Sequence, residues 1–413
     1  MNDRTLLELE DVLARIDAAA APHRIVETEH VSTFDALGRV LAAEVRSLVD
    51  VPPADNSAMD GYALRAADVG AAGTVLPVAQ RIPAGAVGTP LAAGTAARIF
   101  TGAPVPAGAD TVVMQEDCEA IAGPGFGSVR VLKVPARGAA VRLRGEDVAS
   151  GSVVLARGTR LAPQALGMAA SIGCGEVAVL RRPRVALFST GDELMMPGET
   201  LRPGAIYNSN RYTLRGLLQA AGCTVRDLGI VPDRLDATRA ALRDAAGASD
   251  LILSCGGVSV GEEDHLKDAV AAEGRLDLWQ VSIKPGKPFA LGRVDREREA
   301  ALYVGLPGNP VSSWVTFLLC VGPLLRALQG LSCRLPPALP LRADFDRPKP
   351  DRRREFLRVR INAAGGLDLF ANQGSGVLTS TVWADGLVDH PAGRTIAAGD
   401  TVRYLPLSSL IGW

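Results

Sequence analysis

Arg181-Arg182-Pro183-Arg184-Val185-Ala186-Leu187-Phe188-Ser189-Thr190-Gly191-Asp192-Glu193-Leu194 is the stretch on which the fold turns. Four apolar residues, Val185 to Phe188, are bounded by a proline on one side and a Ser-Thr-Gly turn on the other, which is the pattern of a strand buried on both faces. From here the chain alternates. Arg211 to Ala221 reads as a helix, Thr224 to Leu228 as a strand, Leu235 to Ala246 as a helix, Leu251 to Ser254 as a strand and Asp264 to Ala272 as a helix. Extended stretches at Pro288 to Leu291 and Leu302 to Val304, then a helix from Pro310, complete the series. Strand and helix in turn predict a doubly wound α/β domain over 181–330, with ligand-binding loops beyond the carboxyl ends of its strands.

Outward from this domain the character changes. Val51 to about Ala140 is rich in Pro and Gly, with short apolar runs at Ala97 to Phe100 and Thr111 to Met114, so 53–140 reads as a small β domain. Leu6, Leu9, Val12, Leu13 and Ile16 recur at helical spacing, and Pro163 to Ser171 is also helix-like. Neither flank has length enough for a core of its own, so 1–52 and 141–180 are expected to pack together as one discontinuous linking domain. After Pro336-Pro337, the short strands Phe356 to Ile361, Leu367 to Phe370 and Thr401 to Leu405 predict a small β barrel or sandwich over 331–413.

Composition narrows the function. Lys plus Arg number 44 against 45 Asp plus Glu, leaving no global field to hold nucleic acid or an anionic membrane, so any anion must be bound locally. Six cysteines without a CxxC pair read as reduced thiols of a cytoplasmic protein, and four histidines without zinc-ligand spacing point away from a His/Cys metal cage. The N-terminal segment is amphipathic rather than a signal peptide. Val311 to Leu325, interrupted by Ser312, Ser313 and Pro323, reads as too short to span a bilayer, and a soluble chain is expected.

Four loops of the α/β domain carry chemistry. Ser189 to Leu194 places hydroxyls and carboxylates at the edge of the sheet, although Asp192 would equally cap a turn. Ser254-Cys255-Gly256-Gly257-Val258-Ser259-Val260-Gly261 sits between strand and helix, where glycine lets main-chain amides approach phosphate oxygens. Ile283-Lys284-Pro285-Gly286-Lys287-Pro288 holds two cations in a proline-stiffened segment, as a clamp for an oxyanion or as two solvated lysines in a turn. Leu306-Pro307-Gly308-Asn309-Pro310-Val311-Ser312-Ser313 is a helix start, with Asn309 as cap, Pro310 in the first turn and free amides beyond.

Taken in order, NSAMDGYA (56–63), TGAPVP (101–106), RGED (144–147), FSTGDEL (188–194), GGVSVGEED (256–264), IKPGKPF (283–289), LPGNPVSS (306–313) and NQGS (372–375) resemble the molybdopterin molybdenumtransferase family, which is related to the C-terminal domain of gephyrin. The resemblance runs from about residue 30 to the C-terminus. It implies an elongated multidomain homodimer whose α/β domain is similar to molybdopterin adenylyltransferase. It also implies insertion of molybdate into adenylylated molybdopterin with release of AMP, Mg²⁺ as cofactor, and transient contact with the adenylylating enzyme and with molybdoenzyme apoproteins.

The resemblance assigns roles residue by residue. Glu193, Asp192, Asp60 and Asp147 are its catalytic acids, with Glu193 first among them, and Asp233 and Asp264 join the metal region. Thr101, Ser189, Thr190, Gly191, Gly256, Gly257, Ser259, Pro307, Gly308, Asn309 and Pro310 are expected to hold substrate and phosphate. Lys284, Lys287, Ser312, Arg353 and Ser375 are expected to handle molybdate, a tetrahedral dianion that cations and hydroxyls bind without covalent ligation. This chain departs from the pattern at Cys255, where a small hydroxyl is expected, at Asn208, where aspartate is common, and at Leu143. Two other readings stay open: adenylylation or nucleotide hydrolysis on the same fold, and a partner-binding scaffold.

Overall fold

The computed structural model describes residues 6–257, 265–296 and 300–411, and divides the chain into two compact units, 1–29 with 180–413, and 30–179. In the first unit, helix α1 (Leu9–Ala20) is followed by β1 (Arg184–Thr190), α2 (Ser209–Ala220), β2 (Thr224–Val231), α3 (Leu235–Ala248), β3 (Leu251–Cys255), α4 (His265–Glu273), β4 (Gly274–Gln280), β5 (Pro288–Asp295) and β6 (Ala300–Leu306). These strands form one sheet in the order β2-β1-β3-β6-β5-β4. β2, β1, β3 and β6 run parallel, whereas β5 and β4 are antiparallel additions. The chain leaves β1 toward β2 and returns to its other side at β3, so the order reverses at β1, where a doubly wound sheet opens a crevice.

Alternation along the strands explains the layers. Val185 and Leu187 of β1, Leu251 and Leu253 of β3, and Val304 and Leu306 of β6 join one buried cluster with Leu214 and Leu218 of α2. Ala186, Phe188, Ile252 and Tyr303, the intervening positions, join another with Leu242 of α3 and Leu266 and Val270 of α4. Successive side chains of a strand point to opposite faces, so helices cover both faces of the sheet.

The first cluster also contains Leu9, Val12 and Ile16 of α1. The helix therefore packs on the α/β layer, not with 141–180 as expected: its apolar face finds the long apolar helix that follows β6. That helix, α5 (Pro310–Thr316), a π-type turn at 317–321 and α6 (Gly322–Leu328), runs unbroken through Ser312, Ser313 and Pro323. Its 19 residues, which include an 18-residue stretch of mean hydropathy 1.6, are long and apolar enough by composition to cross a membrane, which corrects the expectation that this stretch is too short. Of the residues in that stretch 94% are buried inside the protein, and that burial accounts for its composition.

Beyond it, β7 (Leu339–Arg342), β8 (Arg354–Ile361), β9 (Gly386–His390) and β10 (Thr401–Pro406) pair in the order β8-β9-β10-β7, and Ile283–Lys284 adds to the free side of β8. Leu367–Leu369 pairs with β8, and Ala343 bridges back to Leu367, which closes the strands into a small barrel around Leu357, Val359, Val388, Val402 and Tyr404. Lys284 is thus tied to the barrel by backbone pairing and by its ammonium, 2.7 Å from Asp351 and 3.1 Å from the buried Glu355.

In the second unit, Ala36, Leu41, Val45, Leu161, Val177 and Val179 form one cluster. A six-stranded sheet that includes Gly61–Leu64, Ala96–Ile99 and Thr111–Met114 carries separate clusters on its two faces.

The Glu355 cluster gives a test of stability. Burial alone would raise the Glu355 carboxyl, but hydrogen bonds from Arg347 (2.8 Å) and Lys284 outweigh it and hold the group below its ordinary range. A carboxyl with a lowered folded pKa stabilises above its unfolded value, about 4.3, and that contribution is lost as pH falls through the folded value. Glu355→Ala, which leaves Arg347 without its carboxylate and Lys284 with Asp351 alone, is expected to cost about 2 kcal/mol in denaturant unfolding at pH 7. The difference from the parent should shrink below about pH 4.

Candidate functional site

The crevice at the order reversal is a cleft of about 700 Å³. Ser189, Thr190 and Gly191 end β1; Asn208, Ser209 and Asn210 open α2; Cys255, Gly256 and Gly257 end β3; Pro307 to Pro310 and Ser312 lead into α5. Glu193 and Asp233 also line it, as do Gly376 and Leu378 from the C-terminal barrel region. Twelve of the expected site residues thus share one cavity: Ser189, Thr190, Gly191, Glu193, Asp233, Gly256, Gly257, Pro307, Gly308, Asn309, Pro310 and Ser312.

The glycines shape its floor by what they omit. Gly256 has φ +95°, and a Cβ there would run into the carbonyl oxygen of Thr190; a Cβ at Gly257, φ +63°, would stand 2.9 Å from the Thr190 hydroxyl. Both angles lie where only glycine is unstrained. The Thr190 hydroxyl is buried and makes no hydrogen bond, and the same holds for the Nδ2 of Asn208, whose Oδ1 accepts from the Arg211 amide at 3.2 Å to cap α2. Buried polar atoms are almost always paired, so two donors left open in one cleft mark a place for an acceptor.

Carboxylates gather at the mouth. Glu193 folds over Gly191, its carboxylate 2.6 Å from the point a Gly191 Cβ would take. Asp192 accepts at Oδ1 from the Asp233 amide at 3.5 Å, and its carbonyl accepts from Arg202 at 2.6 Å. Among the described residues no group of three or more His, Cys, Asp and Glu side chains is disposed to hold a metal ion by itself. The donor set still suits Mg²⁺, which keeps most of its shell for water and phosphate and needs only one or two carboxylates. Ser259 and Asp264 lie outside the described residues.

The helix start behaves differently from its reading. Asn309 occupies the cap position but makes no capping hydrogen bond, and it is one of the residues that line the cleft. The Val311 amide is taken by the carbonyl of Ser375 at 2.9 Å, so that amide is not available to an anion. Two of the three expected cations are also spoken for. Lys284 pairs with Asp351 and Glu355, Arg353 donates to the carbonyl of Ile283 at 3.3 Å, and neither is among the cleft residues; Lys287 is exposed.

In the second unit, Asp60 Oδ1 accepts from both the amide and the hydroxyl of Thr101, at 2.8 and 2.7 Å. These two hydrogen bonds, with the charge of Arg98 behind them, hold the Asp60 carboxyl below its ordinary range. Asp147 is exposed, on a loop whose amide donates to Val51.

Sequence reasoning missed Asn210 as a cleft residue, and treated Asn208 and Cys255 only as departures. The Asn-Ser-Asn run before a helical segment was the available signal, since such residues gather at helix starts.

Comparisons with known proteins agree along the whole chain. Residues 7–173 match the family described as MoeA N-terminal region (domain I and II), 186–327 the probable molybdopterin binding domain, and 340–407 MoeA C-terminal region (domain IV). A molybdopterin molybdenumtransferase of Haemophilus influenzae is 36% identical over 392 residues, covering 94% of this chain and 95% of its own. Molybdopterin molybdenumtransferase 2 of Mycobacterium tuberculosis is 35% identical, covering 98% and 100%. The crystal structure of a molybdopterin biosynthesis moeA protein from Pyrococcus horikoshii superposes with a TM-score of 0.82 at 28% identity, over 97% of this chain and 99% of the other.

Gly256→Ala tests the floor of the cleft. A methyl group has no room against the Thr190 carbonyl, so the loop must move, and binding of a cleft ligand should weaken roughly tenfold or more while the far-ultraviolet circular dichroism spectrum stays unchanged. Undiminished binding would mean that the ligand does not use this floor.

Proposed function

Because the chain belongs to the molybdopterin molybdenumtransferase family, we propose that this cleft holds adenylylated molybdopterin while molybdate is inserted into its dithiolene, with release of AMP and formation of molybdenum cofactor. The protein is a transferase of molybdenum cofactor biosynthesis. The observation that carries the reading of the cleft is a pair of buried donors without partners in residues that line it, Thr190 Oγ1 beside the Gly256–Gly257 backbone and Asn208 Nδ2 at the start of α2. They offer hydrogen bonds to an acceptor-rich ligand such as a phosphate or a pterin.

In this reading Ser189, Thr190, Gly191, Gly256, Gly257 and the 307–310 loop hold the substrate, with Ser259 beyond Gly257 in the same motif. Glu193 acts as the principal acid or base, with Asp192 beside it. Asp60, Thr101 and Asp147 are the further residues assigned to the reaction, as acids and a substrate-binding hydroxyl. Hydrolysis breaks the phosphoanhydride bond: water supplies the new oxygen on phosphorus, AMP leaves, and the other phosphate stays on the pterin. One oxo oxygen of molybdate departs as water, carrying off the two dithiol protons, as the two sulfurs bond to molybdenum.

Asp192, Glu193, Asp233 and Asp264 are the carboxylates that would hold Mg²⁺, which neutralises developing charge on phosphate when bound. Lys284, Lys287, Ser312, Arg353 and Ser375 handle molybdate in this proposal. The ion pairs of Lys284 with Asp351 and Glu355 then set its position, and an arriving dianion must compete with both carboxylates. The 53–140, 181–330 and 331–413 segments act as separate domains of a cytoplasmic homodimer that meets the adenylylating enzyme and apoproteins only transiently. Six free cysteines are in keeping with a reducing compartment.

The decisive assay gives the purified protein adenylylated molybdopterin, Mg²⁺ and molybdate, and follows AMP release together with molybdenum bound to the pterin. Both products should appear, with AMP release dependent on molybdate; AMP without transfer would indicate a nucleotide hydrolase. Glu193→Gln should lower turnover by about 10² or more at an unchanged melting temperature. Near-normal turnover would remove Glu193 from its role.

A further inference from the structure

Three loops meet at the cleft, from the ends of β1, β3 and β6, and their mutual register decides whether the cavity has a fixed shape. Backbone pairing ends with the strands, so a side chain must hold the loops beyond them. Asn210, on the first turn of α2, is placed to do this. Its Nδ2 donates to the carbonyl of Gly308 at 2.6 Å and toward Cys255 Sγ at 3.2 Å. The thiol of Cys255 in turn lies 3.4 Å from the carbonyl of Pro307, to which it donates. Burial pushes that thiol up to about 12, so it keeps the proton it donates.

We propose that Asn210 is a positioning residue for substrate binding, which locks the 307–310 loop to the end of β3 and so fixes the width of the cleft above Gly256. The proposal rests on the reading that this cleft holds adenylylated molybdopterin.

Several observations converge on it. Asn210, Cys255 and Gly308 all line the cavity, and the Gly256 amide donates to the Leu306 carbonyl at 3.2 Å, so the two strand ends touch through backbone just below the side-chain lock. The position a Gly308 Cβ would take is 3.9 Å from the Gly256 Cα, so little slack separates the loops. Cys255 is suited to its place by size: hydrogen bonds to and from sulfur are long, and a hydroxyl there would need one partner or the other to move closer. The departure at Cys255 is thereby matched to the reach of Asn210.

The test measures Kd and steady-state kinetics for adenylylated molybdopterin on the full chain. Asn210→Ala removes both donated hydrogen bonds, and Asn210→Asp replaces the amide by a carboxylate facing the Gly308 carbonyl. Each is expected to raise Kd and KM about tenfold, change kcat less than about threefold, and leave the melting temperature within roughly 2 °C. Cys255→Ala, which spares the Gly308 bond, should raise KM only about threefold, and adding it to Asn210→Ala should cost less than it does in the parent, because only the bond to the Pro307 carbonyl is then left to lose.

If Asn210→Ala binds as tightly as the parent, or loses stability and kcat together at an unchanged Kd, the residue is structural and the proposal falls. If the parent itself fails to bind adenylylated molybdopterin, the reading of the cleft has failed first. Parental binding with unaltered Asn210 variants would refute the lock alone.

Discussion

The approach of the Gly256–Gly257 backbone to Thr190 is the contact on which the cleft depends. β1 and β3 are neighbours in the sheet, and their carboxyl ends would be bridged by side chains if the residues after β3 carried any. With no Cβ at either position, and with φ values that other residues avoid, the loop turns over the end of β1 and leaves the buried Thr190 hydroxyl without a hydrogen-bond partner. The cavity exists because two side chains are missing at the place where strand order reverses.

The surrounding layers act as the support for that contact. Every second residue of β1, β3 and β6 is committed to one helical layer and the intervening ones to the other, so none of these strands can slip by one residue without exchanging its two buried faces. The long helix after β6 is the thickest part of the packing, and α1 covers it from a distant part of the chain. Such over-determined strands can carry loops whose own conformations are strained or unsatisfied.

Charge is managed locally, as a near-neutral chain requires. Lys284 is already paired with Asp351 and Glu355, and the ion pairs join the α/β layer to the barrel. At the mouth, the Asp192 carboxylate accepts only weakly from the Asp233 amide, at 3.5 Å. An anionic substrate in this cleft would therefore meet backbone amides and neutral donors before it met fixed positive charge.

By itself the sequence determined the alternation of strand and helix from Val185 onward, the position of the chemistry beyond the strand ends, and eight ordered motifs that marked the family. Those features are local: period, turn residues and spacing carry them. Tertiary structure decided the rest. α1 went to the α/β layer because an amphipathic face does not specify its partner, and Val311 to Leu325 grew into a 19-residue buried helix because neither Pro323 nor the serines end a helix that is packed on all sides. Asn309 lines the cleft without making a capping hydrogen bond, and Ser375 reached the start of α5 through its carbonyl. Asn210 could not be read at all, since its importance lies in two acceptors 45 and 98 residues away that only the closed sheet brings within reach.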